Sequence, residues 1–279
     1  MVVALAALGN GASPLAVSRA FGDGFWSLIT FTMQAAMIVI SGYVVASSLP
    51  AAKLINGLAA LPRTGRSAVA LTAAVAMLTS LLHWGLSLVF SGLFVRALAR
   101  RTDLRMDYRA AAAAGYLGVG ATWALGLSSS AAQLQANPAS LPKALLDITG
   151  VIPFGQTIFL WQSLVVAAVL LVISVVLALL SAPSDAKAVT AQMMGQTVEV
   201  DQVLLVPRKR PGEWLEYSPI LTLVVVALGG GWLAQEFAMK DAILAISDYN
   251  TYNLMYVATR VRRFPHARRA AALEAEELP

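Results

Sequence analysis

Long apolar runs separated by short polar segments are the dominant pattern of this chain. A membrane-spanning helix needs about 20 consecutive apolar residues, and several runs reach or exceed that length. They cover residues 25–49, 68–95, 110–142, 153–183 and 218–238. The pattern therefore predicts an all-α integral membrane protein built as a multi-span helical bundle.

The run at residues 68–95 is too long for one upright helix. It would measure about 42 Å at about 1.5 Å per residue, whereas the hydrocarbon core is about 30 Å thick. Its centre holds His83, Trp84, Gly85 and Ser87, so we expect the helix to break there. Irregular backbone at membrane depth is tolerated only inside protein or beside a water-filled cavity. The stretch is therefore a candidate substrate site.

Charge around this run favours a re-entrant hairpin over a single crossing. Residues 51–67 carry three basic side chains and no acid, and residues 96–109 carry five basic side chains. Because cytoplasmic loops of membrane proteins are enriched in Lys and Arg, both loops are expected on the cytoplasmic side. A hairpin with arms of about 13 residues would reach about 20 Å into the membrane.

The remaining segments complete a predicted map of the chain. Gly22-Asp23-Gly24 is a turn signal, and the short outer loops hold Arg19, Lys143 and Lys240 as their basic residues. A membrane domain of residues 1–181 contains a partial first span, a span at 25–49, the re-entrant hairpin at 68–95, a broken helix at 110–135 and a span at 153–181. A cytoplasmic connection at 182–217 follows, then residues 218–259 with a span at 218–238 and an incomplete span, and an atypical charged tail at 260–279.

Composition supports the membrane assignment and narrows the function classes. The 279 residues are 58% hydrophobic and 13% charged, whereas soluble domains are about 25% charged. The formal net charge of +5 suits basic cytoplasmic loops. Nucleic-acid binding is not expected, because the arginines flank apolar spans. The chain has no cysteine, which excludes disulfides, thiolate catalysis and Cys-ligated metals.

His83 is the one histidine or charged residue well inside an apolar run. Such residues are functional hypotheses by default, and a histidine can carry a proton at physiological pH. The alternative is a neutral imidazole bonded to a nearby carbonyl. Trp84, Gly85 and Ser87 could likewise contact substrate or serve ordinary helix packing.

A second candidate site lies at residues 115–130. Four glycines are followed by three consecutive serines, Ser128, Ser129 and Ser130, so we expect the helix to unwind locally near Gly126. Unwound helices expose amides that bind carboxylates and carbonyls that bind cations. Close helix packing through small residues is the alternative. No nucleophile–base pair, metal cluster or phosphate-binding loop is present in the sequence, so neither an enzyme nor a metal site is predicted.

Several blocks of this sequence resemble the short-chain fatty acid transporter (AtoE-type) family. The resemblance rests on Phe21-Gly22-Asp23-Gly24-Phe25-Trp26, on Trp84-Gly85-Leu86, on Thr122-Trp123 with Gly126-Leu127-Ser128, and on Ile152-Pro153 with Thr157-Ile158-Phe159. The family usually has Asn where this chain has His83. Members continue into a second half, so this chain resembles a truncated member.

The resemblance implies a secondary transporter that takes up short-chain monocarboxylates such as acetoacetate or butyrate across the bacterial inner membrane. It implies the first half of an inverted-repeat, ion-transporter-type fold, with no cofactor and with Na⁺ or H⁺ as the coupling ion. The expected partners are the monocarboxylate, the lipid bilayer, and either a second copy of the chain or a partner that carries the missing half. The substrate-binding residues are predicted to be His83, Trp84, Gly85, Ser87, Thr122, Gly126, Ser128, Ser129 and Ser130. The alternative is a non-transporting remnant or a partner-dependent half-transporter.

Overall fold

The computed structural model describes residues 2–46, 49–138, 141, 143–196, 198 and 219–239. These residues form helices and connections, without a strand in the described ranges. The α-helices are α1 (Val2–Gly9), α2 (Pro14–Ala46), α3 (Leu49–Ala59), α4 (Gly65–Leu82), α5 (Trp84–Ala99), α6 (Tyr108–Gly115), α7 (Ser130–Ala136), α8 (Lys143–Thr149), α9 (Trp161–Ser181) and α10 (Pro219–Met239). The predicted incomplete span, the charged tail and most of the 182–217 connection lie outside the described residues.

The chain divides into two compact units, residues 1–38 and residues 39–279. The first unit contains α1 and most of α2. The turn predicted at Gly22-Asp23-Gly24 is wrong, because α2 runs through it without interruption. A glycine inside a helix costs only about 1 kcal/mol relative to alanine. The long apolar sequence on the C-terminal side of these glycines keeps the segment helical.

In the second unit, α4 and α5 fold back on each other as an antiparallel hairpin. His83 lies between them in an extended conformation, with φ −159° and ψ 128°. The Ser87 hydroxyl in α5 donates to the Ala76 carbonyl in α4 at 2.7 Å, and Gly115 packs against both Thr72 and Ser91. Contacts that join earlier residues of α4 to later residues of α5 are possible only when the two helices run in opposite directions.

The arms of this hairpin are longer than the sequence predicted. They contain 18 and 16 residues and so measure about 27 Å and 24 Å. The two basic loops meet at the open end, where the Arg101 guanidinium donates to the carbonyls of Ala59 at 2.8 Å and Pro62 at 2.9 Å. We refer to residues 59–66 and 96–109 as the basic end. How far the hairpin enters the bilayer remains a prediction.

A broken helix packs against the hairpin. α6 is followed by a π-helical turn at Gly118–Thr122 and a 3-10 turn at Trp123–Leu125, and α7 resumes at Ser130. Buried side chains from the hairpin and its flanks form the core between them, chiefly Val69, Phe90, Phe94, Leu98, Leu104 and Met106.

Three described helical segments are long and apolar enough to cross a membrane. They are Gly65–Leu82, Tyr108–Ala136 and Trp161–Ser181. α9 begins at Trp161, later than residue 153 where the predicted span starts, because Pro153 precedes a 3-10 turn at Phe154–Gln156. At 21 residues α9 still measures about 31 Å.

Candidate functional site

His83 ends α4 and caps α5. Its Nδ1 accepts a hydrogen bond from the Gly85 amide at 3.1 Å, and only 1% of its surface is exposed. An extended residue whose side chain accepts from the second amide of a helix is an N-cap. Nδ1 therefore bears no proton while the cap is formed, and neutral His83 carries its proton on Nε2. The imidazole also stacks on Trp84, with ring centroids 6.1 Å apart.

The second break brings the broken helix directly against this cap. Gly126 is extended, with φ −104° and ψ 177°, and the next amide, Leu127 N–H, donates to the Leu81 carbonyl at 2.8 Å. A Cβ on Gly126 would overlap the backbone of Leu81. A glycine is therefore required for this close approach of two backbones.

The serines after Gly126 join the two breaks. The Trp84 amide, the first of α5, donates to the Ser128 hydroxyl oxygen at 3.0 Å. Ser129 caps α7 by accepting from the Ala132 amide at 3.3 Å. Both serines are almost fully buried. Ser130, in the first turn of α7, is half-buried and makes no side-chain hydrogen bond with the described residues.

Gln133 belongs to the same site, although the sequence analysis missed it. Its Nε2 donates to the Leu127 carbonyl at 2.9 Å, while its Oε1 is buried without a partner in the described part of the chain. A polar residue in the charge-free run shortly after the serines was the signal that could have identified it. We refer to His83, Trp84, Gly126, Ser128, Ser129 and Gln133 as the tip cluster.

Two predicted site residues lie instead in a layer that packs the broken helix on the hairpin. The Thr122 hydroxyl is 2.7 Å from the Ser80 hydroxyl and donates to the Met77 carbonyl at 3.2 Å. The Ser87 hydroxyl is bonded to Ala76, and Gly118 fits against this pair without room for a Cβ. These hydroxyls pair within the protein. Ser80 is a further member of this layer that the sequence analysis missed.

The basic end holds a different polar cluster, centred on the buried carboxylate of Asp107. Asp107 accepts from the amides of Ala110 and Val189, each at 3.0 Å, and from the Arg109 guanidinium at 3.1 Å. Burial alone would raise the pKa of this carboxyl, but hydrogen bonds from Arg109 and the two amides outweigh it and lower the pKa to about 2. Tyr108 N–H also donates to the Val189 carbonyl at 2.9 Å. The start of the 182–217 connection is thereby tied to α6.

The oxygen atoms of the tip cluster are the groups that could hold an ion there. Among the residues that the structure describes, no three His, Asp or Glu side chains lie together. An ion bound at the tip cluster would therefore be held by carbonyl, hydroxyl and amide oxygens, which suit hard cations.

Comparison with known proteins places this chain in a family. A family model described as short chain fatty acid transporter matches residues 1–269. A protein of Escherichia coli, whose name assigns it provisionally as a short-chain fatty acid transporter, is 32% identical over 248 residues. A Haemophilus influenzae protein with the same name is 27% identical over 264 residues. No solved structure matches the chain.

The matches cover most of this chain but only part of each relative. They include 88% and 89% of the chain, and 54% and 56% of the two relatives. The chain therefore spans about half the length of the curated relatives it matches. The family match and the apolar helices identify a multi-pass membrane protein. The chain belongs to the short chain fatty acid transporter family.

Proposed function

We propose that this protein takes part in secondary transport of short-chain fatty acids, such as acetoacetate or butyrate, by uptake across the bacterial inner membrane. Family membership supports the substrate class, and the juxtaposition of two helix breaks supports a site at the tip cluster. Discontinuous helices that meet inside a transporter are a recurrent way of building a substrate site.

The observation that carries this proposal is the hydrogen bond from the Trp84 amide to Ser128. Because the Ser128 oxygen already accepts from the first amide of α5, the positive end of that helix polarises the hydroxyl. Its hydrogen has no acceptor among the described residues. It can therefore donate to a substrate carboxylate, and the Ser129 hydroxyl beside it can supply a second donor.

The buried position of these groups implies movement during transport. Ser128 and Ser129 are 2% and 1% exposed, so a substrate reaches them only when the broken helix and the hairpin tip separate. The contacts that join the two breaks are neutral hydrogen bonds, so opening does not separate charges in an apolar environment.

Na⁺ suits the coupling role better than H⁺ does. Protonation of His83 at Nδ1 would remove the cap on α5 and leave the Gly85 amide without its acceptor. The imidazole also lies at the positive end of α5, where an added positive charge is unfavourable. Backbone carbonyl and hydroxyl oxygens at the tip cluster offer ligands of the kind that Na⁺ uses in other transporters.

Uptake of labelled butyrate into proteoliposomes tests the proposal. Ser128→Ala should reduce uptake at least tenfold, because it removes the polarised donor, and Ser128→Thr should restore much of it. Ser130→Ala is the matched control and should leave uptake unchanged. Replacing Na⁺ by K⁺ should lower uptake by the unaltered protein. Equal uptake by the Ser128→Ala and unaltered proteins would contradict the proposed site, and no uptake by the folded, unaltered protein would contradict transport by this chain alone.

The alternatives to transport by residues 1–279 alone are a partner-dependent half-transporter and a non-transporting remnant. Co-expression with the part of the Escherichia coli relative that this chain does not match distinguishes these alternatives. A half-transporter should gain butyrate uptake only with that partner, and the gain should disappear in Ser128→Ala. A remnant should show no uptake in either case.

A further inference from the structure

Among the residues that the structure describes, the tip cluster has two hydroxyl hydrogens without an acceptor and one amide oxygen without a donor. They are the hydroxyl hydrogens of Ser128 and Ser129 and the Oε1 of Gln133. The three residues are no more than 2% exposed. Gln133 Oε1 is the one of these atoms that makes no hydrogen bond at all with the described residues, and leaving such a buried group unpaired costs about 1–3 kcal/mol. It therefore points to a ligand that donates to it, and the two serine hydroxyls can donate to the same ligand.

The hydrogen bonds of the Gln133 side-chain amide show which of its two ends lacks a partner. Nε2 donates to the Leu127 carbonyl at 2.9 Å, and turning the amide over would bring two carbonyl oxygens together. The unpaired atom is therefore the acceptor Oε1, and a ligand that pairs with it must donate a hydrogen bond. An anionic carboxylate has no hydrogen to donate and would be repelled by Oε1.

Gln133 and Ser129 lie one helical turn apart, and Ser128 directly precedes Ser129. The backbone N–H of Gln133 donates to the backbone carbonyl of Ser129 at 2.9 Å, so Gln133 follows Ser129 by one helical turn. Residues four apart on a helix are neighbours, with Cβ atoms about 5–6 Å apart. One small molecule can therefore contact both serine hydroxyls and Oε1.

We propose that the preferred substrate is a hydroxy-substituted short-chain acid of the 3-hydroxybutyrate type. This inference rests on the proposed function. The substrate carboxylate accepts from Ser128 and Ser129, and its hydroxyl donates to Gln133 Oε1. Butyrate supplies the same carboxylate but leaves Oε1 unpaired. Acetoacetate is the poorest fit, because its keto oxygen faces another acceptor. A site built to pair with a substrate hydroxyl discriminates strongly against analogues that lack it.

Equilibrium binding to the purified protein (residues 1–279) tests this order. Unlabelled 3-hydroxybutyrate, butyrate and acetoacetate compete with labelled 3-hydroxybutyrate at a fixed Na⁺ concentration. We expect 3-hydroxybutyrate to bind at least about tenfold more tightly than butyrate, and acetoacetate to bind most weakly. Tenfold corresponds to about 1.4 kcal/mol, within the cost of an unpaired buried acceptor.

A pair of variants assigns the preference to Gln133. Gln133→Met keeps the length of the side chain and removes the acceptor, so the preference for 3-hydroxybutyrate over butyrate should fall about tenfold while butyrate still binds. Gln135→Met is the matched control on the same helix, because Gln135 donates to Thr149 and Gly150 away from the serines. It should keep the preference of the unaltered protein.

Each other outcome overturns a defined part of the argument. Equal affinities for 3-hydroxybutyrate and butyrate in the unaltered protein would overturn this inference and leave the proposed function standing. No binding of any of the three acids by folded protein would overturn both. An unchanged preference in Gln133→Met, together with loss of Na⁺ dependence, would show that Oε1 binds a cation and would also overturn the inference.

Discussion

The two ends of the α4–α5 hairpin are joined to the rest of the fold by different chemistry. At the tip cluster, the broken helix is held by neutral hydrogen bonds from Trp84 and Leu127. At the basic end, Asp107, Arg109 and Arg101 make ionic or charge-assisted bonds. A charge is costly in an apolar environment, whereas a carboxylate with several donors is stable near water.

This difference suggests a division of roles. Asp107 combines an ion pair with two backbone hydrogen bonds, and these contacts anchor the connection after α9 to the start of α6. The tip cluster is joined by single neutral bonds, and three of its polar groups lack a partner within the described part of the chain. We therefore expect the basic end to stay closed while the tip cluster opens around substrate. The experiments below separate the two ends, from the largest expected effect to the smallest.

Labelling of single cysteines tests whether both basic loops lie on one side of the membrane. Because the chain has no cysteine, Leu61→Cys and Asp103→Cys give labels at exposed positions without background. A membrane-impermeant thiol reagent should label both cysteines when it is added on one side of the membrane and neither when it is added on the other side. Ile148→Cys, in the predicted outer loop and 81% exposed, should label from the opposite side. Labelling of positions 61 and 103 from opposite sides would exclude the re-entrant arrangement.

Gly126→Ala should be the most damaging single change at the tip cluster. The added Cβ overlaps the backbone of Leu81, so the break must move away, at a cost of about 2–3 kcal/mol. Thermal unfolding of the purified protein in detergent measures the loss. Gly120→Ala is the control on the same broken helix, where a Cβ meets open space, and it should not lower the unfolding temperature. Similar decreases in unfolding temperature in both variants would mean that glycine is needed at position 126 for helix flexibility and not for the contact with Leu81.

Asp107→Ala should destabilise the basic end by about 2 kcal/mol at neutral pH. The pKa of Asp107 falls from an ordinary value near 4 to about 2 in the folded protein, and each unit corresponds to about 1.4 kcal/mol. Because the folded-state pKa is depressed, this stabilisation is present above pH 4 and is lost as the pH falls toward 2. The difference in unfolding temperature between the unaltered protein and Asp107→Ala should therefore shrink between pH 5 and pH 3.

Asp103→Ala is the matched control for that experiment. Asp103 pairs with Arg101, but its side chain is 64% exposed, and exposed ion pairs contribute little. Its removal should leave the unfolding temperature unchanged. A decrease in unfolding temperature as large as that of Asp107→Ala would show that surface charge stabilises the basic end, and not the buried hydrogen bond between Val189 and Asp107.

Substitutions of His83 should have the smallest effect on stability. The size of that effect should depend on whether the new side chain can still accept a hydrogen bond from the Gly85 amide. Asn supplies an acceptor oxygen where His83 supplies Nδ1, so His83→Asn should retain the cap on α5 and the unfolding temperature. His83→Leu removes the acceptor and should cost about 1 kcal/mol. If transport instead fell in His83→Asn while stability was kept, a role for the imidazole beyond the cap would be indicated.

The sequence alone determined the class of this protein and its family. Apolar runs of spanning length set the all-α membrane architecture, and the resemblance in the Trp84-Gly85 and Thr122-Trp123 blocks identified the family that the comparisons show. The length of residues 68–95 also indicated that one straight helix could not accommodate them. These conclusions depend on local properties, namely hydrophobicity, helix length and the loss of regular structure near glycine. The turn predicted from local sequence at Gly22-Asp23-Gly24 was nevertheless wrong, because these two glycines do not interrupt α2.

Only the tertiary structure decided which polar groups meet. The bond from Trp84 to Ser128 joins residues 44 positions apart, and that from Val189 to Asp107 joins residues 82 positions apart. Helical periodicity shows which residues share a face, but it does not specify which face of another helix lies opposite. The structure therefore separated Ser128 and Ser129 from Ser87 and Thr122, whose hydroxyls pair within the protein, and it added Gln133. Whether a hydroxyl or an amide oxygen is free to bind a ligand depends on every partner around it, and those partners are brought together only when the chain folds.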